Sequence, residues 1–599
     1  DWYDAITRTG VIQRHTLGFS GSTDASRYYV GMGAQIQEGI LQHNDFARYS
    51  LRINSEFDIG SKVRVGENFQ LTHRVTDGLI GGDGGAGLAD DENSILGAFR
   101  MHPMIPVFDE FGGYAGTRAQ GFNNPRNPVA ERDGVSDNQG FSNRAFGNVY
   151  LEIEPIDGLI LRSSYGGSFI GFHSNFYSRQ TYENSENNAS FGYGENQGFV
   201  YDWTFTNTIN YKFNLSESHS FGVLAGYESL STGDGRVSGA SGINPFSRNL
   251  DFINLNNVET NPPGSNYLVP STFASVFGSL NYNFNEKYYV TAVLRRDGSS
   301  RFGANQRYGT FPAFSAAWRV TSEPFMQNQN FFTDLKIRGG WGQMGNSNNV
   351  NANNRFSLFA QSFGGSSYPI DGSNTAVALG FDQVRIGTEN ARWETAVTTN
   401  IGFDATILGG KVDVIADLWR KETDDLLVQL PIPDVAGAAA APAVNIGSML
   451  NQGLDMAIIY RDKFSSDFGF ELTLNGAFLK NEITKFTDDV DFFGSGGSRI
   501  NGQIVRNEVG RSLASFFGYQ VVGLFQDDAE VAAAPTQPGA APGRFRFEDN
   551  NGRDDDGNLT GQPDGVINEA DRTFLGSAVP DFTGGLNIKL TYKNFDLTT

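Results

Sequence analysis

Residues 285–346 decide the fold of this chain: NEKYYVTAVLRRDGSSRFGANQRYGTFPAFSAAWRVTSEPFMQNQNFFTDLKIRGGWGQMGN. The stretch predicts three strands, separated by a loop and a turn, in which polarity alternates every second residue. In the third strand one face is apolar and the other is charged or glycine, with Leu335, Ile337 and Trp341 set against Lys336, Arg338, Gly340 and Gly342. Successive side chains of a strand point to opposite sides of the sheet, so one face should meet an apolar medium and the other water.

Aromatic residues gather near the predicted strand ends of the same stretch. They are Tyr288, Tyr289, Phe311, Phe314, Trp318 and Trp341. This placement is typical of the aromatic girdles that lie at the two membrane interfaces of a transmembrane β-barrel. We therefore predict an all-β fold, a large antiparallel transmembrane β-barrel.

The composition agrees with a barrel. The 599 residues are 39% hydrophobic with a mean hydropathy of −0.34, and no apolar run approaches the roughly 18 residues that a transmembrane helix needs. A sheet that crosses lipid has to close, because open strand edges find no hydrogen-bond partner there. No linker-like boundary interrupts the strand pattern, so we predict one domain over residues 1–599, a transmembrane β-barrel with long extracellular loops.

Charge and residue usage exclude several function classes. A net charge of −22 argues against nucleic acid, whose phosphates need a basic surface. The absence of cysteine excludes disulfides and thiolate metal sites. The six histidines lack zinc-binding spacing, and no nucleophile motif appears, so we predict that the protein is not an enzyme. Residues 82–87 formally match a G-x-G-x-x-G motif, but they lie in a long loop without a βαβ context, which favours a flexible loop.

The connections between predicted strands alternate between short turns and long polar loops. The short turns lie near residues 58–61, 157–158, 215–217, 285–286, 409–410 and 463–466, and the long loops near 76–141, 172–197, 231–270, 346–390, 428–445 and 484–581. Outer-membrane barrels have short periplasmic turns and long extracellular loops. This alternation predicts about 17 complete strands and a partial one that starts at Phe595, in a complete barrel of more than ~20 strands. Residues 511–526 fit no strand phase and are assigned to the last long loop.

Several stretches in order resemble the SusC/RagA-type TonB-dependent outer-membrane transporters of Bacteroidota. They are DWYDAITRTGVIQRHTLGFSGSTDASRYYVGMGAQIQEGI (1–40), RRDGSSRFG (295–303), FPAFSAAWRV (311–320), LKIRGGWGQMGN (335–346), NARWETAVTTNIGFD (390–404), LGGKVDV (408–414), ASFFGYQVVGLFQ (514–526), DGVINEADRTFLGSAVPDFTGGL (564–586) and YKNFDL (592–597). Long loops diverge between these matches. The order of the blocks makes the resemblance specific.

The resemblance implies a 22-stranded barrel in the bacterial outer membrane with an N-terminal plug. It places that plug and the last strands outside this chain. The strand predicted at residues 12–22 ends in a short turn and so runs inward, which predicts an earlier first strand outside this chain as well. It also implies a SusD-like surface lipoprotein that lids the extracellular mouth, energy coupling by TonB–ExbB–ExbD through the N-terminal region, and contact with outer-membrane lipid and lipopolysaccharide. Oligosaccharides or peptides would be the imported ligands. Two transporter–lid pairs could form a dimer.

The acidic loop FEDNNGRDDDGNLTGQPDGVINEADRT is the one candidate metal site. It resembles an interrupted calcium loop that Asp549 and Asn551 open and that Asp564 and Asp571 close, with residues 553–563 inserted. Calcium prefers six to eight oxygen ligands and a glycine at which the chain can turn. A second oxygen cluster, at residues 554–558, competes with it, and a solvated acidic loop is the alternative. Bound calcium would order this loop and do no chemistry.

Four aromatic residues are weak candidates for contact with the ligand: Tyr177, Tyr182, Phe191 and Tyr193. They fall in a loop rich in Asn and Ser, a mixture that suits sugars or peptide backbone, and the alternative is packing within the loop. The apolar stretch 101–116 is predicted to pack against the plug or the lid. The whole pattern predicts an energy-coupled importer, with a passive porin and a surface adhesin as alternatives from other classes.

Overall fold

The computed structural model describes residues 1–78, 94–118, 122, 124–185, 187–247, 249–260, 263–361, 365–370, 372, 377–429, 432, 437, 439–487, 490–495, 503–554 and 556–599. The glycine-rich motif at 82–87 lies outside these residues. A search of the described part of the chain for a helix with the length and hydropathy to span a membrane finds none.

The described chain is almost entirely β. In order, its strands are β1 Ile12–Ser22, β2 Ser26–Glu38, β3 Asp45–Ile59, β4 Val63–Asp77, β5 Gln139–Ile156, β6 Leu159–Ser178, β7 Gly192–Ser216, β8 His219–Ile243, β9 Glu259–Thr260, β10 Gly264–Leu268, β11 Ser271–Phe284, β12 Tyr288–Ser299, β13 Tyr308–Arg319, β14 Phe332–Asn346, β15 Leu358–Ala360, β16 Asp382–Arg385, β17 Glu394–Ile407, β18 Val412–Asp424, β19 Leu427–Gln429, β20 Ala443–Asn445, β21 Gly447–Lys463, β22 Phe468–Phe486, β23 Phe492–Ser495, β24 Val505–Glu508, β25 Ser515–Tyr519, β26 Val521–Leu524, β27 Phe545–Phe547, β28 Arg572–Ser577, β29 Phe582–Tyr592 and β30 Phe595–Thr598.

Short helices lie in the connections. The α-helices are α1 Trp2–Ile6, α2 Ser94–Arg100, α3 Pro128–Gly134 and α4 Asp528–Ala533, and single 3₁₀ turns occupy Leu250–Phe252, Val320–Ser322, Pro324–Met326, Leu408–Gly410 and Glu569–Asp571. The chain divides into two compact units. The first consists of Asp1–Phe213, Val223–Gly278 and Asp297–Ser300, and the second of Asn214–Gly222, Ser279–Arg296 and Arg301–Thr599.

The first unit is an antiparallel meander. Strand β1 pairs with β2, and each strand up to β7 pairs with the next one along the chain. Strand β8 pairs with β10 along residues 235–239. The short connections are tight: Gly158, between β5 and β6, has φ of 80°, a left-handed conformation that glycine adopts without strain. The predicted alternation of short turns and long loops is confirmed in this unit.

The second unit repeats the same pairing. Strands β13, β14, β17, β18, β21, β22, β29 and β30 form consecutive antiparallel pairs. Asn285 and Glu286, between β11 and β12, have φ of 52° and 55°, the signature of a two-residue hairpin turn. The long loops contain sheets of their own, made by β15–β16, β19–β20, β23–β24–β25–β28 and β26–β27.

Twenty of the described strands belong to one sheet. Setting aside the two short pieces β9 and β10 and the terminal β30, seventeen long strands stand in it, as the alternation predicts. Residues 511–526 contribute β25 and β26, which pair with β28 and β27 outside that sheet, so their assignment to the last long loop is confirmed. Two predicted loops, 172–197 and 231–270, were too wide, because β6 continues to Ser178, β7 begins at Gly192 and β8 continues to Ile243.

One face of each meander exposes apolar side chains. In the second unit, Leu474 of β22 is 52% exposed and lies opposite Ile458 of β21 and Leu586 of β29. Soluble proteins rarely expose such contiguous apolar rows, whereas a barrel presents them to lipid. Of the predicted girdle, Phe314 and Trp341 lie opposite each other and are exposed. Phe311 does not belong to it. It precedes Phe314 by three positions, an odd step that places it on the other face, and its ring is buried against Trp393.

Candidate functional site

The opposite face of the second unit carries paired charges. Arg338 of β14 donates two hydrogen bonds of 2.5 Å to the carboxylate of Asp417 on β18, and its Nε lies 3.1 Å from Asp404 of β17. Lys336 reaches the same Asp404 at 2.9 Å. A bidentate guanidinium–carboxylate pair fixes both side chains, so these three strands present a rigid and nearly neutral polar wall.

The first unit has an equivalent group of charges near its short turns. Arg64 of β4 donates to Asp58 of β3 at 2.8 Å and lies 3.6 Å from Glu152 of β5. Arg162 of β6 donates to that Glu152 at 2.6 Å. Charged groups at this density need water or a partner, since an unpaired charge in an apolar medium is very costly. The arginine side chains are also 39% and 38% exposed, so this face suits contact with water and not with lipid.

A small apolar core lies at the long-loop end of the first unit. It joins α1, α2 and α3 through the buried residues Trp2, Ile6, Ala98, Met101 and Val129. We call residues 1–6, 94–118 and 124–138 the cap. The predicted apolar stretch 101–116 belongs to it: Ile105, Val107 and Tyr114 pack against the core, while Phe111 is 89% exposed. Its packing against a plug or lid stays a prediction.

Asn127 anchors the cap. Its side chain is fully buried, and its Nδ2 donates to the carbonyls of Val107 and Ala115, both at 2.9 Å. Its Oδ1 accepts from the backbone N–H groups of Val129 and Ala130, which caps the start of α3. One amide thus ties two distant points of the 101–116 stretch to a helix.

We expect Asn127→Ala to release the 101–116 stretch, because it removes a helix cap worth about 1 kcal/mol and the two hydrogen bonds that hold the carbonyls of Val107 and Ala115, each worth about 0.5–1.5 kcal/mol. Limited proteolysis of the folded protein should show cleavage within residues 101–118 at least tenfold faster than in the wild type. Asn249→Ala is the matched control, since Asn249 caps only one turn through a single hydrogen bond to Asp251. Equal cleavage rates in the Asn127 variant and the wild type would contradict this role.

Side-chain contacts join the cap to two neighbouring connections. Tyr114 donates to Asp133 at 2.8 Å, and the other oxygen of that carboxylate lies 3.1 Å from Nε2 of His43 in the β2–β3 connection. Burial, with the hydrogen bond to Asp133 second, raises the pKa of Tyr114 to about 12, so this phenol stays protonated and donates at any physiological pH. In the β6–β7 connection, the Arg179 guanidinium lies over the Tyr114 ring at 5.4 Å and pairs with the fully buried Glu183 at 2.7 Å.

The four predicted ligand-contacting aromatics separate into two places. Tyr177, Phe191 and Tyr193 come together, with the Tyr177 ring centre 6.3 Å from that of Phe191 and 5.2 Å from that of Tyr193. Tyr193 is only 7% exposed, whereas Tyr182 is 47% exposed and its hydroxyl accepts from the backbone N–H of Tyr114. Contact with a ligand stays a prediction for all four.

A polar cleft of about 540 Å³ lies beside Tyr177. Residues of the cap and of the β6–β7 connection line it, among them Arg126, Glu131, Asn138, Arg179 and Asn188. Asn138 accepts from the backbone N–H of Tyr177 at 2.7 Å. Sequence reasoning missed this cleft, because its charged residues come from two connections and no local spacing signals that they meet.

A second cleft of about 590 Å³ lies along β6, β7, β8 and β10. Its lining is aromatic, amide, hydroxyl and small: Phe172, Ser174, Phe176, Asn196, Gln197, Val237, Ser238, Gly239, Ala240, Ser241, Gly264, Ser265 and Asn266. None of these residues, all of them described, carries a formal charge. Sequence reasoning missed this cleft because it assigned residues 172–197 to a loop.

The structure folds the predicted calcium residues into one loop. Asp549 accepts from the backbone N–H groups of Asp564 and Gly565, and the buried Asp571 accepts from those of Asn550, Asn551 and Asn568. Asn551 accepts from that of Gly561 at 2.7 Å. Across the described residues, no three His, Cys, Asp or Glu side chains are grouped closely enough to hold a metal ion. The carboxylates organise the loop through backbone hydrogen bonds, and calcium binding stays a prediction.

Comparison with known proteins gives consistent matches. Residues 102–598 match the family model described as TonB dependent receptor-like, beta-barrel. TonB-dependent receptor P3 of Formosa agariphila is 29% identical over 615 residues, which cover 100% of this chain and 57% of that protein. TonB-dependent receptor SusC of Bacteroides thetaiotaomicron is 26% identical over 630 residues, covering 100% of this chain and 58% of that protein. The chain thus spans little more than half the length of these curated relatives.

Solved structures share the fold. The RagAB peptide importer in its closed-closed state superposes with a TM-score of 0.79 at 23% identity, covering 100% of this chain and 62% of that chain. Its open-open state gives a TM-score of 0.77 at 22% identity. At these identities the likeness shows the fold alone.

Proposed function

The chain belongs to the TonB dependent receptor-like β-barrel family, a family of bacterial outer-membrane proteins, and we propose that it forms the transmembrane part of an energy-coupled nutrient importer. The members of this family are receptors and transporters, not enzymes. Their fold is a large antiparallel transmembrane β-barrel. The proposal therefore needs binding and conformational change, with no covalent step.

The family match over residues 102–598 carries this proposal, and the two faces of the strands support it. The row with Leu474 suits lipid and lipopolysaccharide, while Arg338 and its partners suit a water-filled interior. The ligand would be captured outside, enclosed by a SusD-like lipoprotein lid, and released inward when TonB–ExbB–ExbD acts on an N-terminal plug. The ligand classes are oligosaccharides and peptides, and two transporter–lid pairs could form a dimer.

A passive porin is the first alternative to an energy-coupled importer, and a surface adhesin is the second. Conductance in planar bilayers separates the porin from the importer, because an open barrel conducts steadily whereas a plugged importer is nearly silent. We expect the complete protein, extracted from outer membranes in mild detergent, to show almost no conductance in planar bilayers. Its native mass spectrum should show a complex with a lipoprotein. Steady conductance and a bare chain would favour the porin.

Calcium is proposed to order residues 549–571. If so, limited proteolysis of this loop should slow in calcium and quicken in a chelator, and Asp564→Ala should abolish the difference. Asp571→Ala should open the loop in either condition, because its buried carboxylate accepts three backbone hydrogen bonds, each worth about 1.5–3 kcal/mol to a charged group. Cleavage that is identical with calcium and with chelator would leave the loop a hydrogen-bonded structure without a metal.

A further inference from the structure

The second cleft contains two phenylalanine rings that lie across glycines. Phe172 and Phe176 of β6 stand opposite Gly198 and Gly194 of β7 in the strand register. A Cβ atom added to either glycine would collide with the ring opposite it. The glycines therefore give the rings room to lie against the sheet, and Phe176 remains 36% exposed.

Both rings lie on the polar face of the sheet. The register of β6 with β7 runs without a break from Leu159 to Ser178, so every even-numbered residue of β6 shares one face. Arg162, which pairs with Glu152, belongs to this face. The opposite face carries the exposed apolar residues Tyr165 and Phe169. Phe172 and Phe176 are therefore apolar surfaces on a wall that faces water.

Amide and hydroxyl groups surround the two rings. Asn196 lies between Gly194 and Gly198 on β7, and its Oδ1 occupies the space that a Cβ atom at Gly239 of β8 would take. Asn266 of β10 stands opposite Val237 of β8. Ser174 lies between the rings on β6 and completes a polar surface without formal charge.

One arginine of β8 lies at the margin of the cleft. Arg236 stands opposite Tyr267 in the register and lies over its ring at 5.1 Å. Its Nη2 donates to the hydroxyl of Ser265, a lining residue, at 3.3 Å. Strand alternation places Arg236 on the face opposite to that of its neighbour Val237 and of Gly239. The guanidinium therefore reaches the cleft only at its margin, through Ser265, and the residues that line the cleft carry no formal charge.

We propose that this cleft binds a neutral oligosaccharide, an inference that rests on the proposed import function. A sugar ring presents an apolar C–H face, which can stack on an aromatic ring, and a rim of hydroxyl groups, which amides and hydroxyls can hydrogen-bond. The cleft brings both rings together with amides and hydroxyls, and small-molecule sites combine apolar surface with a few placed polar groups in this way. A peptide brings a charged amino terminus, for which the lining residues supply no carboxylate.

The spacing of the rings fits a ligand with repeating units. Phe176 is the fourth residue after Phe172 on the strand, a separation of roughly 13 Å at 3.3 Å per residue. A single sugar ring cannot cover both phenylalanines, whereas a short oligosaccharide can. The cleft volume of about 590 Å³ lies in the range of small-ligand sites and accommodates a few sugar units.

The test is binding by the complete detergent-solubilised transporter. The probes are a panel of neutral oligosaccharides of about six sugar units, a matched panel of uronic-acid or sulfated oligosaccharides, and a pool of short peptides. We expect binding of at least one neutral oligosaccharide, at least tenfold weaker in Phe172→Ala/Phe176→Ala. Phe172→Tyr/Phe176→Tyr should restore it, because it retains both rings.

Phe146→Ala is the matched control. Phe146 is 40% exposed and shares the polar face, opposite Ser168 of β6, but it does not line the cleft. Binding only of peptides or charged glycans, no binding of any neutral oligosaccharide, or equal losses in the control and the double alanine variant would overturn the proposal. Peptide uptake that still requires TonB would leave the import function standing, whereas neutral-glycan binding without TonB-dependent uptake would contradict that function alone.

Discussion

Replacing Leu474 with arginine is expected to destabilise the protein in a bilayer by about 2–4 kcal/mol, the cost of an arginine on the lipid face near the midplane of a barrel. Leu474 lies near the middle of the stretch of β22 that pairs with β29, Phe468–Phe478, and is 52% exposed between Ile458 and Leu586 on the neighbouring strands. The loss should appear as a lower temperature for the gel shift between folded and heat-unfolded protein, and as a lower amount in the outer membrane.

Asn475→Arg is the matched control, because the next residue of the same strand faces the opposite side. An arginine there meets water, and we expect a change within about 0.5 kcal/mol. The contrast between neighbouring positions separates a lipid-facing wall from a soluble sheet. Equal tolerance of arginine at both positions would show that Leu474 faces water.

The second large effect concerns the pair of Arg338 and Asp417. Their side chains are 28% and 21% exposed, and Asp417→Ala removes two short charge-assisted hydrogen bonds. We expect a loss of about 1.5–3 kcal/mol, measured as the same gel-shift temperature. Arg338→Met combined with Asp417→Leu should recover part of this loss, because the pair then disappears without leaving a charge unpartnered.

An exposed ion pair of the same unit provides the comparison. Lys411 reaches Asp462 at 2.7 Å, but the lysine side chain is 51% exposed. Exposed pairs contribute about 0–1 kcal/mol, so Lys411→Ala should leave the gel shift almost unchanged. If Lys411→Ala and Asp417→Ala destabilise equally, the wall around Arg338 is no more ordered than the surface.

The membrane part of the fold could be predicted from the sequence because lipid imposes a strict pattern. The strands are predicted by alternating polarity, as at Leu335, Ile337 and Trp341. Their number is predicted by the alternation of short turns and long loops. The prediction was wrong where the sheet continues past that pattern. Residues 173–175 of β6 are His, Ser and Asn. Their sequence predicts a loop, because three polar residues in a row show no alternation between an apolar and a polar face.

The candidate site could be predicted only in part. The aromatic candidates of residues 177–193 lie beside a cleft, but the residues that shape it meet through folding alone. Asn127 bonds to carbonyls 12 and 20 residues away, and Asp133 contacts a histidine 90 residues away. Phe172 and Phe176 could not be recognised as cleft residues from the sequence, because only the strand register shows that they stand opposite two glycines.

Energised uptake tests the central claim most directly. Cells that carry the complete transporter would be given a labelled neutral oligosaccharide that the purified protein binds, with and without a protonophore, and in a strain without TonB. The account predicts accumulation that stops when either the proton gradient or TonB is removed, and that falls in Phe172→Ala/Phe176→Ala but not in Phe146→Ala. Uptake that continues unchanged without TonB and without the gradient would contradict it and identify the barrel as a passive pore.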